Sequence, residues 1–430
     1  MNSQLQEITN IFPLLYGNDK KVIKKQITRY NKLIDQFTTE FGSSNLHFFS
    51  TPGRTELGGN HTDHNNGLVL ASSINLDSIA VVSRSGDNSV ELYSEGYKSS
   101  FLIDLNYLEP VSKENGTTNA LIRGVAARLK QLGYIVGGFK AYISSGVLPG
   151  SGLSSSASIE VLVGSIFNAL FNNNSIAPEI LAQTGQFAEN NYLGKPCGLM
   201  DQMACAVGGI ISIDFKDPLN PVFNKVNFNF DQHNYKLLVL DTGGSHADLT
   251  NDYASIPFEM KSVAALFNAS VLREISIDTF LEKIPSIREQ LGDRAVLRAL
   301  HFFQENERVE EEVNALSKGD FYKFLELIKA SGNSSFKQLQ NIFTIKNIKD
   351  QGISLALALS NKFIDEIGEG ACRVHGGGFA GTIQIFLPNG SVQEYKNTME
   401  NIFGKNSVQI LTIRSIGTIY LNNLVKKMEE

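Results

Sequence analysis

The chain has 430 residues, 42% of them hydrophobic and 19% charged, with a formal charge of −6. That length suits two or three compact units with sizeable cores and excludes a single small domain. Basic residues are spread along the chain rather than clustered, which argues against a nucleic-acid surface and against binding to an anionic membrane.

In chain order, residues 1–45 read as helices carrying Lys and Glu. Leu46 to Thr51 read as a strand leading into a loop, and Gly67 to Ser83 as strand, turn, strand. Val90 to Tyr93 and Phe101 to Leu105 are short strands, Thr118 to Leu132 a helix, and Gly138 to Ser144 a strand. Helices follow from about Ser154 to Phe171 and from Pro178 to Tyr192, the second placed to end at Gly194. Ile210 to Phe215 and Tyr235 to Asp241 read as strands, and Ile256 to Phe343 as mainly helical. Ile353 to Ile367 is a helix with Leu355, Leu359, Phe363 and Ile367 on one stripe. Ala371 to Leu387 is a glycine-rich turn leading to a strand, then a helix over Val392 to Phe403 and a last strand near Val408 to Tyr420. The fold class is α+β in two lobes, residues 1–220 and 221–430, with the cleft between them as the expected site.

Cys197, Cys205 and Cys372 fit no zinc spacing, and an odd count argues against a disulfide framework; reduced thiols in the cytoplasm are the expectation. Met1 to Tyr16 does not read as a signal peptide. The longest apolar stretch, Ile159 to Phe171, is interrupted by Glu160, Gly164, Ser165 and Asn168, short of the roughly 20 apolar residues a bilayer span needs. No membrane association is expected, and a monomer is.

Four segments carry chemistry. Pro52-Gly53-Arg54-Thr55-Glu56-Leu57-Gly58-Gly59-Asn60-His61-Thr62-Asp63-His64 crowds Arg, Glu, His and Asp between two strands. It is either a solvated turn or a polyhydroxyl site, where Asp63 can accept two hydroxyl hydrogen bonds. Gly150-Ser151-Gly152-Leu153-Ser154-Ser155-Ser156-Ala157 lies between a strand and an apolar helix. Small residues permit close backbone approach and the helix start offers unpaired N–H groups, so it reads as a phosphate cradle or as a serine-capped helix with a flexible lead-in. No Gly-Lys-Ser/Thr follows, so it is not a Walker A loop. Cys197-Gly198-Leu199-Met200-Asp201-Gln202 sets an acid among apolar neighbours, with Glu189 on the preceding helix. A buried carboxylate is costly unless paired or working; a helix cap is the plainer alternative. Arg373-Val374-His375-Gly376-Gly377-Gly378-Phe379-Ala380-Gly381 contains G-x-G-x-x-G but precedes a strand, which argues against a dinucleotide site.

In this order, the four segments resemble the GHMP kinase superfamily and, within it, the galactokinases, over about Phe48 to Tyr420. The resemblance implies ATP and Mg²⁺, a small-molecule sugar substrate, and phosphorylation of galactose, or a close derivative, at its anomeric hydroxyl. It implies Asp201 and its partner Arg54 as the catalytic pair. Glu56, Asn60, His61, Asp63 and Tyr253 would bind substrate, with His246 and Tyr253 spaced like the family's histidine and tyrosine. Gly150, Ser151, Gly152, Leu153, Ser154, Ser155, Ser156 and Ala157 would hold the nucleotide, and Ser156 and Glu189 the metal. The chain departs from the family's Gly-Arg-x-Asn-x-Ile-Gly-Glu-His-x-Asp-Tyr. Asn60 stands where a sugar-facing glutamate is expected, Glu56 replaces the asparagine and His64 the tyrosine. His375 also replaces a small residue, Pro149 sits one place late and a double arginine after the tyrosine is absent. Asn60 and His64 would make that end of the pocket less negative and broaden tolerance toward galacturonate or a C2- or C6-modified galactose, while Glu56 could restore the charge by turning inward. A kinase for a non-sugar alcohol and a non-catalytic sugar sensor are the alternatives; the intact Ser156-Ala157 pair weighs against the sensor.

Overall fold

The computed structural model describes residues 3–42, 45–147, 152–195, 197–244 and 249–424. Three helices open the chain: α1 (Ser3–Thr9), α2 (Phe12–Tyr16) and α3 (Lys20–Phe41). Tyr30, Leu33 and Phe37 of α3 bury one stripe against Phe48, Ile79 and Val81 of the first two strands, β1 (His47–Gly58) and β2 (Leu68–Arg84).

These two strands differ from the sequence expectation. β1 runs on through Gly58, so Arg54 and Glu56 are strand residues rather than loop residues. β2 is one unbroken strand of 17 residues where a turn was expected. The run Ser72-Ser73-Ile74-Asn75-Leu76-Asp77-Ser78 reads as a turn because its polar groups need partners, and the fold supplies them from far along the chain. Ser73 Oγ donates to the Arg414 carbonyl and accepts from Gly209 N. Asp77, fully buried, takes Arg29 at 2.6 Å, Arg414 at 3.3 Å and the Ser50 and Tyr16 hydroxyls.

Its length lets β2 pair twice. Its first half takes β6 (Ile210–Asp214) and its second half β5 (Phe139–Ser145), with β1 antiparallel along the whole strand. With β3 (Ser89–Ser94), β4 (Phe101–Asp104) and β7 (Val222–Val226), the large sheet has eight strands. Its helices are α4 (Thr118–Gln131), α5 (Ser155–Phe171), α6 (Pro178–Ala188) and α7 (Met200–Val207). A smaller antiparallel sheet is ordered β11-β8-β10-β9, from β8 (Tyr235–Asp241), β9 (Ala371–His375), β10 (Thr382–Pro388) and β11 (Val408–Leu411). The change of sheet falls between Val226 and Tyr235, a few residues past 220, because β7 pairs back onto β6. The single terminal strand expected near Val408 to Tyr420 is two: β11 ends the small sheet, and β12 (Ile419–Tyr420) returns to β1 in the large one.

Between β8 and β9 the chain forms α8 (Thr250–Ala265), α9 (Ile277–Glu282), α10 (Ile284–Leu291), α11 (Asp293–Ser317), α12 (Phe321–Ser334) and α13 (Gly352–Ile367), and α14 (Val392–Phe403) lies between β10 and β11. The buried face of α13 is Ile353, Ala356, Leu357, Ser360, Phe363 and Ile364, while Leu355 is 49% exposed. Strict i+4 spacing drifts about 40° per step around a helix, so the stripe expected from Leu355 to Ile367 winds off the face it began on. Among the described residues no helix is long and apolar enough to cross a membrane.

Candidate active site

β1 carries Arg54 to the centre of the molecule. Register shifts flank it, between Pro52 and Arg54 and between Glu56 and Gly58, and such irregularities re-aim the side chains of a strand. Arg54 Nε donates to Asp201 Oδ1 at 2.8 Å and Nη2 to Asp201 Oδ2 at 2.9 Å, a bidentate pair. Asp201 stands in the first turn of α7, where the helix dipole also favours a negative charge. The Arg54 side chain is 7% exposed and that of Asp201 32%, so the carboxylate is the half of the pair that faces solvent. Burial on its own would raise the Asp201 carboxyl, but Arg54 and the Ser154 hydroxyl outweigh it and hold the group below the usual carboxylate range.

The glycine-serine segment meets this pair. Arg54 Nη1 donates to the Gly152 carbonyl, Arg54 N to the Leu153 carbonyl at 3.1 Å, and Ser154 Oγ to Asp201 Oδ2. Ser154 precedes α5 with φ +61° and uses its hydroxyl on Asp201 rather than as a helix cap. The first N–H groups of α5 have no partner within the helix. Gly152, at φ +69°, has no room for a side chain: a Cβ would lie 2.9 Å from Thr382 Oγ1 and 3.1 Å from His375 Nδ1. Gly150 and Ser151 lie outside the described residues, as does His246.

In the first turn of α5, Ser156 Oγ donates to Glu189 Oε1 at 3.2 Å. The same oxygen is 3.2 Å from Lys195 Nζ. Gln202 Nε2 bridges Glu189 Oε2 and Glu160 Oε2, each at 3.0 Å, while Glu160 Oε1 is buried without a partner. Burial and the neighbouring Glu189 push the Glu160 carboxyl well up.

Just before Asp201 in the chain, Gly198 packs on the Asp63 carboxylate, where a Cβ would come within 1.9 Å of Asp63 Oδ2. Asp63 Oδ1 accepts from His64 N at 3.0 Å. The short turn it begins is held to the helical lobe by Asn65, whose Oδ1 accepts from Leu272 N at 3.2 Å. The Tyr253 hydroxyl donates to the Gly378 carbonyl at 2.9 Å and its ring meets Phe379 edge-on. His61, at φ +59°, pairs Nε2 with the Gly377 carbonyl at 2.9 Å, which fixes the proton on Nε2. Its Nδ1 is buried without a partner, a bare acceptor, and burial pulls the imidazole down to about 3.

The GHMP kinases N terminal domain matches residues 120–209, and the galactokinase galactose-binding signature matches residues 35–84. A galactokinase of Clostridium tetani is 29% identical over 379 residues, 87% of this chain and 92% of its own length. A galactokinase of Lacticaseibacillus casei is 29% identical over 367 residues, 84% of this chain and 90% of its own. Among solved structures, Lactococcus lactis galactokinase complexed with galactose has a TM-score of 0.78 at 25% identity, over 91% of this chain and 99% of that one. In sequence and in fold the chain is similar to the GHMP kinases and, among them, to galactokinases. Methanococcus jannaschii mevalonate kinase shares the fold alone, with a TM-score of 0.61 at 18% identity over 87% of this chain and 99% of its own.

Two residues expected to bind substrate sit elsewhere. Glu56 is buried and ion-paired with the fully buried Arg373. Asn60, also fully buried, donates to Glu56 Oε1 at 3.0 Å and to the Gly376 carbonyl at 2.8 Å, and accepts from Asn341 at 2.9 Å and Ser335 at 3.2 Å. All its hydrogen-bonding capacity is spent on protein, so its lack of charge does not set the charge of the cleft. His375 joins the two sheets. Its Nε2 accepts from Glu56 N at 3.4 Å, so its Nδ1 carries the proton and donates to Thr382 Oγ1 at 3.0 Å. The sequence reading missed Glu160, Gln202 and Lys195. Glu160, one helical turn beyond Ser156, and Gln202, beside Asp201, were within reach of helix spacing; Lys195 gave no signal.

Proposed function

We propose that the protein transfers the terminal phosphoryl group of ATP to the anomeric hydroxyl of galactose. The observation that carries this is the bidentate Arg54–Asp201 pair, which meets Ser154 at the start of α5, with Asp63 packed on Gly198 just before Asp201 in the chain. Asp63 and the bare Nδ1 of His61 supply acceptors for ring hydroxyls, with Tyr253 closing that side. Asp201 accepts the proton of the anomeric hydroxyl as its oxygen bonds to the terminal phosphorus and ADP departs with the electrons of the broken bond. Arg54 keeps Asp201 ionised, fixes its two oxygens and places positive charge beside the transferring group. Gly152 to Ala157 cradle the phosphates through backbone N–H groups.

The residues present fit Mg²⁺. Ser156 and Glu189 offer hard oxygens 3.2 Å apart beside an unpartnered Glu160 oxygen. Among the described residues no cluster of three His, Cys, Asp or Glu side chains could hold a metal unaided, so phosphate oxygens would complete the shell. When bound, the ion neutralises charge on the terminal phosphates. The free thiols Cys197, Cys205 and Cys372 suit a reducing cytoplasm.

Purified protein with ATP and Mg²⁺ should form ADP with galactose and yield the 1-phosphate by phosphorus NMR. ATP binding without turnover on galactose would overturn the reading in favour of a sensor or another acceptor. With Asn60 and Glu56 turned away from the cleft, nothing in them favours a charged or amidated sugar over galactose.

A further inference from the structure

We propose that Lys195 is a phosphate-contacting residue, which rests on Glu189 while the site holds no nucleotide and turns onto the terminal phosphates when ATP binds, a move completed when a divalent ion takes that carboxylate. This rests on the kinase reading above. Lys195 follows the end of the helix that carries Glu189, its backbone N–H donating to the Glu189 carbonyl at 3.2 Å. Its Nζ lies 3.2 Å from Glu189 Oε1, the oxygen that also accepts from Ser156.

That geometry cannot survive metal binding unchanged. Glu189 is 3% exposed, so its carboxylate is fixed in place, whereas the Lys195 side chain is 69% exposed on a flexible four-carbon stem. An ammonium and a divalent cation repel one another at one carboxylate oxygen, and the mobile partner is the one that leaves. It leaves into a cleft where the strongest new anions are phosphates, against the helix start it already borders. The Lys195 charge also reaches Asp201, helping to hold that carboxyl down. Arg54 is committed to Asp201 and the Gly152 carbonyl. Lys195 is the cation of this cluster with donors to spare.

The test is ATP binding without metal. In EDTA, calorimetry should show Lys195→Met binding ATP about tenfold or more weakly than wild type, the scale of one charge-assisted contact. Adenosine affinity should be unchanged and Lys195→Arg should keep most of the ATP affinity. If Lys195 only screens Glu189, Lys195→Met will bind metal-free ATP as wild type does and need less Mg²⁺ to saturate, which overturns the proposal. Lys195→Gln serves as a second charge-removing variant if the methionine variant does not fold. Wild type that binds no ATP at all would instead overturn the kinase reading itself.

Discussion

Gly198→Ala is a sharp probe of the proposed sugar side, because one methyl group meets one carboxylate oxygen. The added Cβ would lie 1.9 Å from Asp63 Oδ2 and 2.8 Å from its Cγ. Ordinary contact begins near 3.4 Å, so the carboxylate must retreat by about 1.5 Å. It has little room: the Asp63 side chain is 12% exposed, and Oδ1 is tied to His64 N. Gly198 is not among the residues at positive φ, so alanine carries no backbone penalty there. A carboxylate moved that far loses its bond to a sugar hydroxyl, worth about 1.5–3 kcal/mol, or about 10- to 150-fold in affinity. Calorimetric titration with galactose should show that loss, with ATP affinity within about twofold of wild type and the melting temperature little changed. Asp63→Asn should weaken galactose similarly. Galactose affinity within twofold of wild type in folded Gly198→Ala would refute the placement of Asp63 on the sugar. An equal loss for ATP would show that the start of α7 had moved instead.

Asp201→Asn should keep the fold and lose about 10²-fold or more in kcat; near-wild-type turnover removes Asp201 from the mechanism. Because Arg54 depresses the Asp201 carboxyl, the pair's stabilisation is present above the unfolded carboxyl's pKa near 4 and is lost as pH falls through the depressed value. Rate–pH profiles of Arg54→Met should show the acid limb moved to higher pH, since burial then acts unopposed. Gly152→Val should weaken ATP far more than galactose in paired titrations, since valine is strained at φ +69° and its Cβ presses on Thr382 and His375. Asn60→Glu should lower stability by several kcal/mol in denaturant titrations, because it sets a second carboxylate beside Glu56 in a closed network. The molecules that fold should keep the wild-type order of sugars; a reordered preference would return position 60 to the pocket.

The chemistry of the site was legible in the sequence because glycines, serines and isolated charges stand out against apolar strands and helices. Gly152 to Ala157, Asp201, Arg54, Asp63 and Glu189 are conspicuous for that reason, and the order of most elements follows from periodicity. Which way a polar side chain turns was not legible. Glu56 and Arg54 are two apart on one strand, yet one serves Arg373 in the interior and the other Asp201 at the cleft, with a register shift on either side of the pair. The polar middle of β2 reads as a turn until Arg414 and Arg29 arrive to satisfy Asp77. Lys195 is an unremarked surface lysine until the helix before it delivers Glu189 to its Nζ. Residue type sets what a group can bond; only the closed fold sets which partner reaches it, because a buried polar group must take whichever complement lies within about 3 Å, however distant in the chain.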